Sequence, residues 1–477
     1  MALVRLTGAA DRRRTVVGAL VAVAILSVVA LGFDRLSRDL LVGVVVLLVL
    51  GVVAVPVLTW VAKREGEPQF AHLLLWGAAA KVIGTLVRYF VIVVVYKNSA
   101  DAANYSNWGT EISRMLRAGD FSFLSEPVAG RDAETERIAL VVGLVYAVTG
   151  VSRYAASFVF SAICFAGQVL MWRAFRRAVP AGDSKRYAIL LLFLPSMLFW
   201  PSSIGKDALM VGCVGLVSYG AAQILGQKVS LAGIAFFIAG AAGLMAIRPH
   251  MSLIAVVALT LGSVVGSITG IKQRGASKSA VVRLAALVVL VGVGVVGVTQ
   301  LGKLFAEDGA TDTGITAALE KTQSQTSMGG SEYASVAVSS PVDLPMAVVT
   351  VLIRPFPWEA RNVNGLIAAS EGVLFVGLAI AGRRRLVAWA KELPRNPYLI
   401  YCAAYSFVFI ILFSYIGNFG ILARQRTQMM PLVLVCLAMP AVPKLNRRER
   451  LEVRTSRRKS RTVSGAEPPV SADETLS

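Results

Sequence analysis

Histidine and cysteine are scarce in this sequence. The 477 residues include two histidines, His72 and His250, and four cysteines, all inside apolar stretches: Cys164, Cys213, Cys402 and Cys436. Two histidines so far apart exclude a histidine-rich metal site. The cysteines show no paired spacing of the kind that forms a zinc site or a disulfide framework. We therefore interpret them as small core residues.

Charged residues are also few. They make up 16% of the chain, against about 25% in an ordinary soluble domain, and 56% of the residues are hydrophobic. The mean hydropathy is +0.67. This composition predicts a polytopic membrane protein. The net charge of +20 indicates helix orientation rather than nucleic-acid binding, because Lys and Arg collect in the cytoplasmic loops of membrane proteins.

Twelve apolar runs have lengths near the roughly 20 residues that cross a bilayer. The amino terminus offers no clear signal-peptide cleavage site in "SVVALGFDR", so we expect its run to be retained as the first helix. The sequence predicts an all-α integral membrane protein with about twelve transmembrane helices. The runs are 15–33, 40–61, 70–96, 152–172, 187–203, 205–226, 231–247, 251–270, 283–302, 364–381, 398–416 and 421–441.

Loop charges predict the orientation of these spans. An even number of spans places both ends of the chain on the same side of the membrane. Both ends are basic, and so are the loops that this topology places on that side: "KRE", "RAFRRAVPAGDSKR", "IKQRGASKSAVVR" and "RRR". By the positive-inside rule, that side and both termini are cytoplasmic. The two longer loops are then extracytoplasmic, and their short apolar pieces, 137–150 and 344–358, suit interfacial or re-entrant helices that cover a cavity.

The predicted organisation therefore has seven parts. The carboxy-terminal part is basic, then rich in Ser, Pro and acidic residues, which is typical of disorder. The parts are the cytoplasmic amino terminus (1–14), spans 1 to 3 (15–96), a first extracytoplasmic loop with an interfacial helix (97–151), spans 4 to 9 (152–302), a second extracytoplasmic loop (303–363), spans 10 to 12 (364–441) and a cytoplasmic tail (442–477).

Cationic side chains recur at the predicted outer ends of the spans, where the charge rule makes them rare. Guanidinium forks bind phosphate oxygens bidentately, so the set predicts an anion site. Alternatively, each side chain snorkels from a helix end or pairs locally, as Lys206 with Asp207 or Arg361 with Glu359. Arg424 and Arg426 are about 200° apart on an ideal helix, which predicts that they do not face one pocket. The set is Lys206, Arg248, His250, Arg354, Arg361, Arg424 and Arg426.

The first outer loop supplies a carboxylate. Asp101 and Tyr105 are four residues apart and would share a helical face. A carboxylate near a sugar hydroxyl is suited to act as a general base. Alternatively, Asp101 only caps the helix that begins at "AANYSNW".

Several short motifs resemble those of membrane glycosyltransferases of the GT-C class. From 101 to about 175 the chain contains "D-x3-Y", "LRAGDF", "LVYAVTGVS" and "LMWRAFRR", similar to the acidic residue, tyrosine, glycine-ended helix and short helix of that class. "GILARQRTQMMPLVLV" and "FWPSSIGKDALM" resemble segments of bacterial envelope polysaccharide polymerases. The chain departs from the class in placing Asp101 after the third predicted span, and in having one acid where many members have two.

The resemblance implies a glycosyltransferase of the bacterial plasma membrane that moves a sugar or oligosaccharide from a polyprenyl (di)phosphate carrier to a glycan or lipid acceptor on the extracytoplasmic face. It implies Asp101 as the catalytic base and no cofactor. Asp101, Glu111 and Glu359 offer oxygen ligands for a divalent cation, but no motif fixes their spacing. The residues expected to bind substrate are Tyr105, Lys206, Arg248, Arg354, Trp358, Arg361, Arg424 and Arg426.

Two other functions stay open at this point. The chain suits a transporter or flippase of a lipid-linked or anionic substrate, or a scaffold in an envelope-synthesis complex. Transporters place their sites near the membrane midplane. The spans look almost free of charge at that depth, which favours an enzyme. We expect membrane lipids as surroundings and no nucleic-acid partner.

Overall fold

The computed structural model describes residues 37–97, 101–128, 133–226, 229–268, 332–333, 335–336, 338, 340–361 and 363–440. All of them belong to one compact unit, Met1–Pro440. The predicted spans 15–33 and 283–302, most of the second outer loop and the cytoplasmic tail lie outside the described residues.

The described residues are helical throughout, apart from loops and one isolated antiparallel bridge between Glu332 and Asn418. The α-helix Phe70–Phe90 continues as a π-helical turn, Val91–Val95. In chain order the α-helices are α1 (Arg38–Arg64), α2 (Phe70–Phe90), α3 (Asp101–Ala118), α4 (Ala133–Thr149), α5 (Arg153–Ala178), α6 (Ser184–Phe193), α7 (Pro195–Phe199), α8 (Lys206–Ile224), α9 (Leu231–Ile247), α10 (Pro249–Ile268), α11 (Leu344–Leu352), α12 (Val363–Ala381), α13 (Arg383–Glu392), α14 (Pro397–Phe413), α15 (Phe419–Arg426) and α16 (Met430–Leu437).

Five of these helices are long and apolar enough to cross a membrane. They are α1, α2 with its π-helical turn, α5, α8 and α10. A sixth candidate is the pair α12 and α13, which meet at a bend of 73°. The chain is thus a helical protein with five or six candidate membrane spans in its described part, and the predicted count of twelve is not confirmed.

Two predicted spans are broken into shorter helices. The run 187–203 is divided into α6 and α7 at Leu194, whose extended backbone precedes Pro195. Proline disfavours the helical conformation of the residue before it, and it lacks an amide donor. The run 421–441 is likewise divided, because α15 ends at Arg426 and α16 begins at Met430. These short helices bring loop backbone to the depth of the apolar core.

The centre of the molecule is built from α5 and α8. Glycines allow their backbones to touch, since a Cβ on Gly215 of α8 would lie 2.4 Å from the Cα of Gly167 on α5. Small residues at such positions are typical of tight helix packing in membranes. By contrast, α1 exposes much of its apolar surface, including Val45 and Val52. We infer that α1 lies at the periphery of the helix bundle.

Ion pairs mark one end of α2. Glu65 precedes this helix and accepts hydrogen bonds from Arg173 at 2.7 Å and Arg177 at 2.8 Å. The segment Phe70–Val95 is 26 residues long, and at 1.5 Å per residue it spans about 39 Å. The residues that follow Val95 therefore lie at the opposite end of the bundle from Glu65.

Candidate functional site

A cavity lined by described residues opens at that opposite end. It has a volume of about 370 Å³. Its walls come from the last turns of α2, the start of α3, the turn between α7 and α8, α12, and α15 with the residues before it. Its polar and charged lining side chains include Arg88, Tyr96, Asp101, Tyr105, Ser203, Asp207, Asn418 and Arg424.

Two of the charged groups are held in place near the amino-terminal ends of helices. Asp207 lies in the first turn of α8, where the helix dipole favours a negative charge. Asn418 caps α15, since its side-chain oxygen accepts hydrogen bonds from the amides of Gly420 at 2.9 Å and Ile421 at 3.2 Å. This cap fixes the start of α15 and so the place of Arg424, which follows in the same short helix.

Arg424 connects two carboxylates. Its Nε donates a hydrogen bond to Oδ2 of Asp207 at 2.9 Å, and its Nη1 lies 3.9 Å from Oδ2 of Asp101. The Asp207 side chain is 6% exposed, whereas the Asp101 side chain is 69% exposed. The pair with Asp207 is therefore an internal one, and Asp101 lies at the open side of the cavity, where it is accessible to a substrate.

Two further guanidinium groups act on Asp207. Arg88 and Arg248 both interact electrostatically with its carboxylate, alongside Arg424. Arg88 lies over the rings of Phe199 and Trp200, at 4.8 and 4.9 Å from their centroids, an arrangement that stabilises a cation by its interaction with the ring faces. Three guanidinium groups thus act electrostatically on one buried carboxylate; Arg88 and Arg424 line the cavity, whereas the predicted binding residue Arg248 does not.

Some of these donors have no acceptor. Among the described residues, no hydrogen-bond partner is found for Nε and Nη1 of Arg88 or for Nη1 of Arg248, although these atoms are buried. Buried N–H groups without partners are costly. Counting Asp101 and Asp207 against Arg88, Arg248 and Arg424, the cluster keeps an excess of positive charge. It is chemically suited to an anion with several oxygens.

Tyr105 and Asp101 lie on the same cavity wall, as their spacing predicts. Tyr105 is buried, and burial, with a smaller effect from Asp101, raises the pKa of its hydroxyl to about 12. The phenol is therefore neutral at physiological pH and serves as a hydrogen-bonding group, not as a charge.

Two predicted substrate cations form ion pairs within the protein. Lys206 donates to Glu134 at 2.9 Å, so it does not form the alternative pairing with its neighbour Asp207. Arg354 donates two hydrogen bonds of 3.1 Å from its Nε to the oxygens of Glu359, the carboxylate that the alternative assigned to Arg361. The partner of Lys206 is 72 residues away in the sequence, so no local pattern could identify it.

The arginine pair of the last predicted span is divided between different surroundings. Arg426 is fully buried, and its Nη1 donates to the carbonyl oxygens of Leu352 at 2.9 Å and Arg354 at 3.2 Å. It therefore binds the end of α11, whereas Arg424 lines the cavity. This difference follows from the spacing of two residues, which places the side chains on opposite sides of α15.

The remaining predicted residues lie elsewhere. Trp358 and Arg361 line a second cavity of about 260 Å³. His250 is close to Phe413, with 5.9 Å between ring centroids. Glu111 pairs with Arg114 at 3.0 Å. Within the described ranges, no three His, Cys, Asp or Glu side chains are grouped so that they would hold a metal ion.

Sequence reasoning missed important buried charges. Lys81 and Arg88 lie buried on α2, and Glu371 lies buried on α12, so the expectation that the spans are almost free of charge is wrong. The sequence did contain a signal for these residues, because a charged residue inside an apolar run is rare and usually has a structural or functional role. For Lys81 and Glu371 the reason is structural: Lys81 donates to the Met197 carbonyl, and Glu371 accepts from the Ser196 amide, each at 2.7 Å.

No family model, curated protein or solved structure matches this chain. The resemblance to the GT-C class and to polysaccharide polymerases therefore stays a prediction from short motifs. The function has to be inferred from the geometry of the cavity and from the chemistry of its side chains.

Proposed function

We propose that the protein is an integral membrane glycosyltransferase that moves a sugar or oligosaccharide from a polyprenyl (di)phosphate carrier to an acceptor. The observation that carries the proposal is the position of Arg424, which joins the buried Asp207 to the exposed Asp101 in a cavity also lined by Arg88. This arrangement combines a site for a phosphate with a carboxylate that is free to meet a second substrate.

Arg88 and Arg424, which line the cavity, would bind the phosphate of the donor, and Arg248, which does not line it, would add positive charge to the cluster. The unpaired N–H groups of Arg88 match phosphate oxygens, and charge-assisted hydrogen bonds of this kind are about twice as strong as neutral ones. Asp207 would hold the three guanidinium groups in place before the donor arrives. Cations fixed in this way also stabilise the negative charge that grows on the phosphate as its bond to the sugar breaks.

Asp101 would act as the general base. The acceptor hydroxyl gives its proton to the Asp101 carboxylate while its oxygen forms a bond to the anomeric carbon. The bond between that carbon and the phosphate oxygen breaks, and the phosphate leaves with the electron pair. A phosphate is a stable anion, so the departure needs no general acid. Attack from the side opposite the phosphate inverts the anomeric centre.

The charge distribution supports a proposed location for the cavity. The cavity lies at the end of the bundle opposite Glu65 and its arginine partners, and basic loops belong on the cytoplasmic side. We therefore propose that the cavity faces the extracytoplasmic side of a bacterial plasma membrane. Polyprenyl-linked sugars suit this side, because nucleotide sugars are cytoplasmic. The product would belong to an envelope polysaccharide or glycolipid.

A transporter or flippase of a lipid-linked or anionic substrate is the second candidate. The buried charges of Lys81 and Glu371 favour it, since such groups often mark transport paths. Both, however, bind backbone atoms at the break between α6 and α7, where irregular backbone at membrane depth must be satisfied by protein. These contacts give the two side chains a structural role and leave the enzyme as the better-supported function.

A binding experiment tests the phosphate site. The protein in nanodiscs is titrated with a polyprenyl phosphate and with the same polyprenol without phosphate, and complexes are quantified by native mass spectrometry. We expect the wild type to prefer the phosphate at least about tenfold, since one charge-assisted contact contributes about 1.5–3 kcal/mol. Arg424→Gln should lose most of this preference, and Arg424→Lys should keep part of it.

The control is Arg114→Gln, because Arg114 is exposed, pairs with Glu111 one turn away on α3 and lines neither cavity. This variant should bind like the wild type. Equal affinity of the wild type for the phosphate and the alcohol would refute the anion site.

A further inference from the structure

A second cavity adjoins the first. It has a volume of about 260 Å³, and three residues, Pro355, Gly365 and Phe419, line both cavities. The two spaces are therefore neighbours across a thin wall. A molecule that reaches from one to the other would pass this wall, at the side of the first cavity formed by α12 and the start of α15.

Aromatic surfaces dominate the second cavity. Trp358 lines it and is 80% exposed, which is rare for so large an apolar side chain. Phe356 stacks on Trp358 with 4.9 Å between ring centroids. On the inner side, Tyr333 and Phe419 stack face to face at 3.9 Å. Flat, partly exposed rings of this kind provide a platform for a ligand with its own apolar faces.

Polar side chains lie beside these aromatic rings. Glu332, Glu359 and Arg361 line the same cavity. The hydroxyl of Tyr333 is buried and has no hydrogen-bond partner among the described residues, so the site offers a donor and acceptor that a ligand would satisfy. Charged and hydrogen-bonding groups beside the rings disfavour an acyl chain as the ligand.

The loop that carries Trp358 is fixed by its own contacts. Glu359 binds Arg354 and also accepts a hydrogen bond from the amide of Phe356 at 2.8 Å. Arg354 in turn lies over Tyr333 and Phe419, at 4.7 and 5.1 Å from the ring centroids. Burial raises the pKa of Glu359, but these hydrogen bonds outweigh it and hold the pKa below its ordinary value. The Glu359 side chain therefore stays ionised and holds the loop of Trp358 in place.

We propose that the second cavity binds sugar rings of the acceptor glycan, while the first binds the donor phosphate. Carbohydrate matches the site because each ring has apolar C–H faces for Trp358 and hydroxyl groups for Glu332, Arg361 and Tyr333. The shared wall would allow the terminal hydroxyl of a bound glycan to approach the donor. This inference rests on the proposed function and adds the acceptor class to it.

A kinetic experiment tests the acceptor site. Purified protein in nanodiscs is supplied with lipid-linked saccharides extracted from a strain lacking this gene, and with oligosaccharides released from the envelope of that strain by mild acid. Initial transfer rates are measured as the concentration of the oligosaccharides is varied. We expect Trp358→Ala to raise the acceptor KM about tenfold, as the loss of a central aromatic contact does, with kcat and the donor KM within about twofold of wild type.

Three further variants make the result specific. Glu332→Gln should also raise the acceptor KM. Trp358→Phe keeps an aromatic ring, so its acceptor KM should be close to that of the wild type. Trp76→Ala is the matched control, because Trp76 is 63% exposed and lines neither cavity; its constants should equal those of the wild type.

The outcomes separate the two proposals. If the wild type transfers sugar and both Trp358→Ala and Glu332→Gln keep its acceptor KM, the acceptor site is refuted and the transferase stands. A fall in kcat with an unchanged acceptor KM would likewise contradict the site. If the wild type transfers nothing from these donors to any acceptor, the transferase itself is refuted.

Discussion

The contact between α2 and α7 leaves no space for a methyl group at Gly84. An added Cβ would lie 2.1 Å from the carbonyl oxygen of Leu198 and 2.9 Å from its carbonyl carbon. These are backbone atoms, which cannot rotate away. Lys81 and Arg88 lie on the same face of α2, one turn to either side of Gly84, and bind the α7 region through the Met197 carbonyl and the ring of Trp200. Gly84→Ala must therefore separate these contacts.

The size of the effect can be bounded. Overpacking a tight contact costs about 1–3 kcal/mol, whereas replacing glycine by alanine inside a helix gains at most about 1 kcal/mol. We expect Gly84→Ala to destabilise the protein by about 0–2 kcal/mol relative to the wild type, the difference between these terms, and by about 1–3 kcal/mol relative to a glycine-to-alanine variant without the clash. The variant should also bind polyprenyl phosphate less tightly, because Arg88 moves away from the other guanidinium groups.

Gly51→Ala is the matched control. Gly51 lies within α1, and a Cβ there would meet no atom within 4 Å, so this variant should be as stable as the wild type or slightly more so. Thermal unfolding of the three proteins in identical nanodiscs measures the difference. If Gly84→Ala and Gly51→Ala unfold at the same temperature, the close approach of α2 and α7 is refuted.

Two further predictions concern buried charges at other positions. Lys81→Met should lower the unfolding temperature, because the Met197 carbonyl loses its donor and an unpaired buried acceptor costs about 1–3 kcal/mol; wild-type stability would contradict the structural role of Lys81. Burial raises the pKa of Glu65, but Arg177 and Arg173 outweigh it, so the pKa lies below its ordinary value of 4.5. The ion pairs should therefore stabilise the protein above that value and lose their effect as the pH falls through the lowered pKa. Glu65→Gln should be less stable than wild type at pH 7, and the gap should close as the pH falls below 4.5 through the lowered pKa; a gap that does not depend on pH would contradict this.

The class of the protein was predictable because it depends on composition. Long apolar runs with few charges suit a bilayer wherever they occur, and the described residues are helical with five or six candidate spans. The breaks were harder to predict. Pro195 marks one in the sequence, yet its run still has nearly the length of a span, so hydropathy alone joins α6 to α7.

The composition of the site was predictable only in part. Arg424 and Asp101 were found because each is unusual where it stands, and both line the larger cavity. Asp207 was considered only as a partner for its neighbour Lys206, whereas the fold pairs it with Arg424, 217 residues away. Such a contact depends on how α8 and α15 pack, and no local pattern records it. Arg88 was overlooked, although a charged residue within a membrane span is itself a signal.

The central claim is that Asp101 is the base of a sugar transfer beside a phosphate site. Its most direct test is mass spectrometry of polyprenyl-linked saccharides and surface glycan in a strain lacking this gene, complemented with wild type, Asp101→Asn or Asp120→Asn at equal expression. Asp120 is a fully exposed carboxylate after the end of α3 that lines neither cavity. We predict that lipid-linked saccharides accumulate in the deletion strain, that wild type and Asp120→Asn clear them, and that Asp101→Asn does not. A wild-type profile with Asp101→Asn would contradict the role of Asp101 as the base and favour a carrier or scaffold.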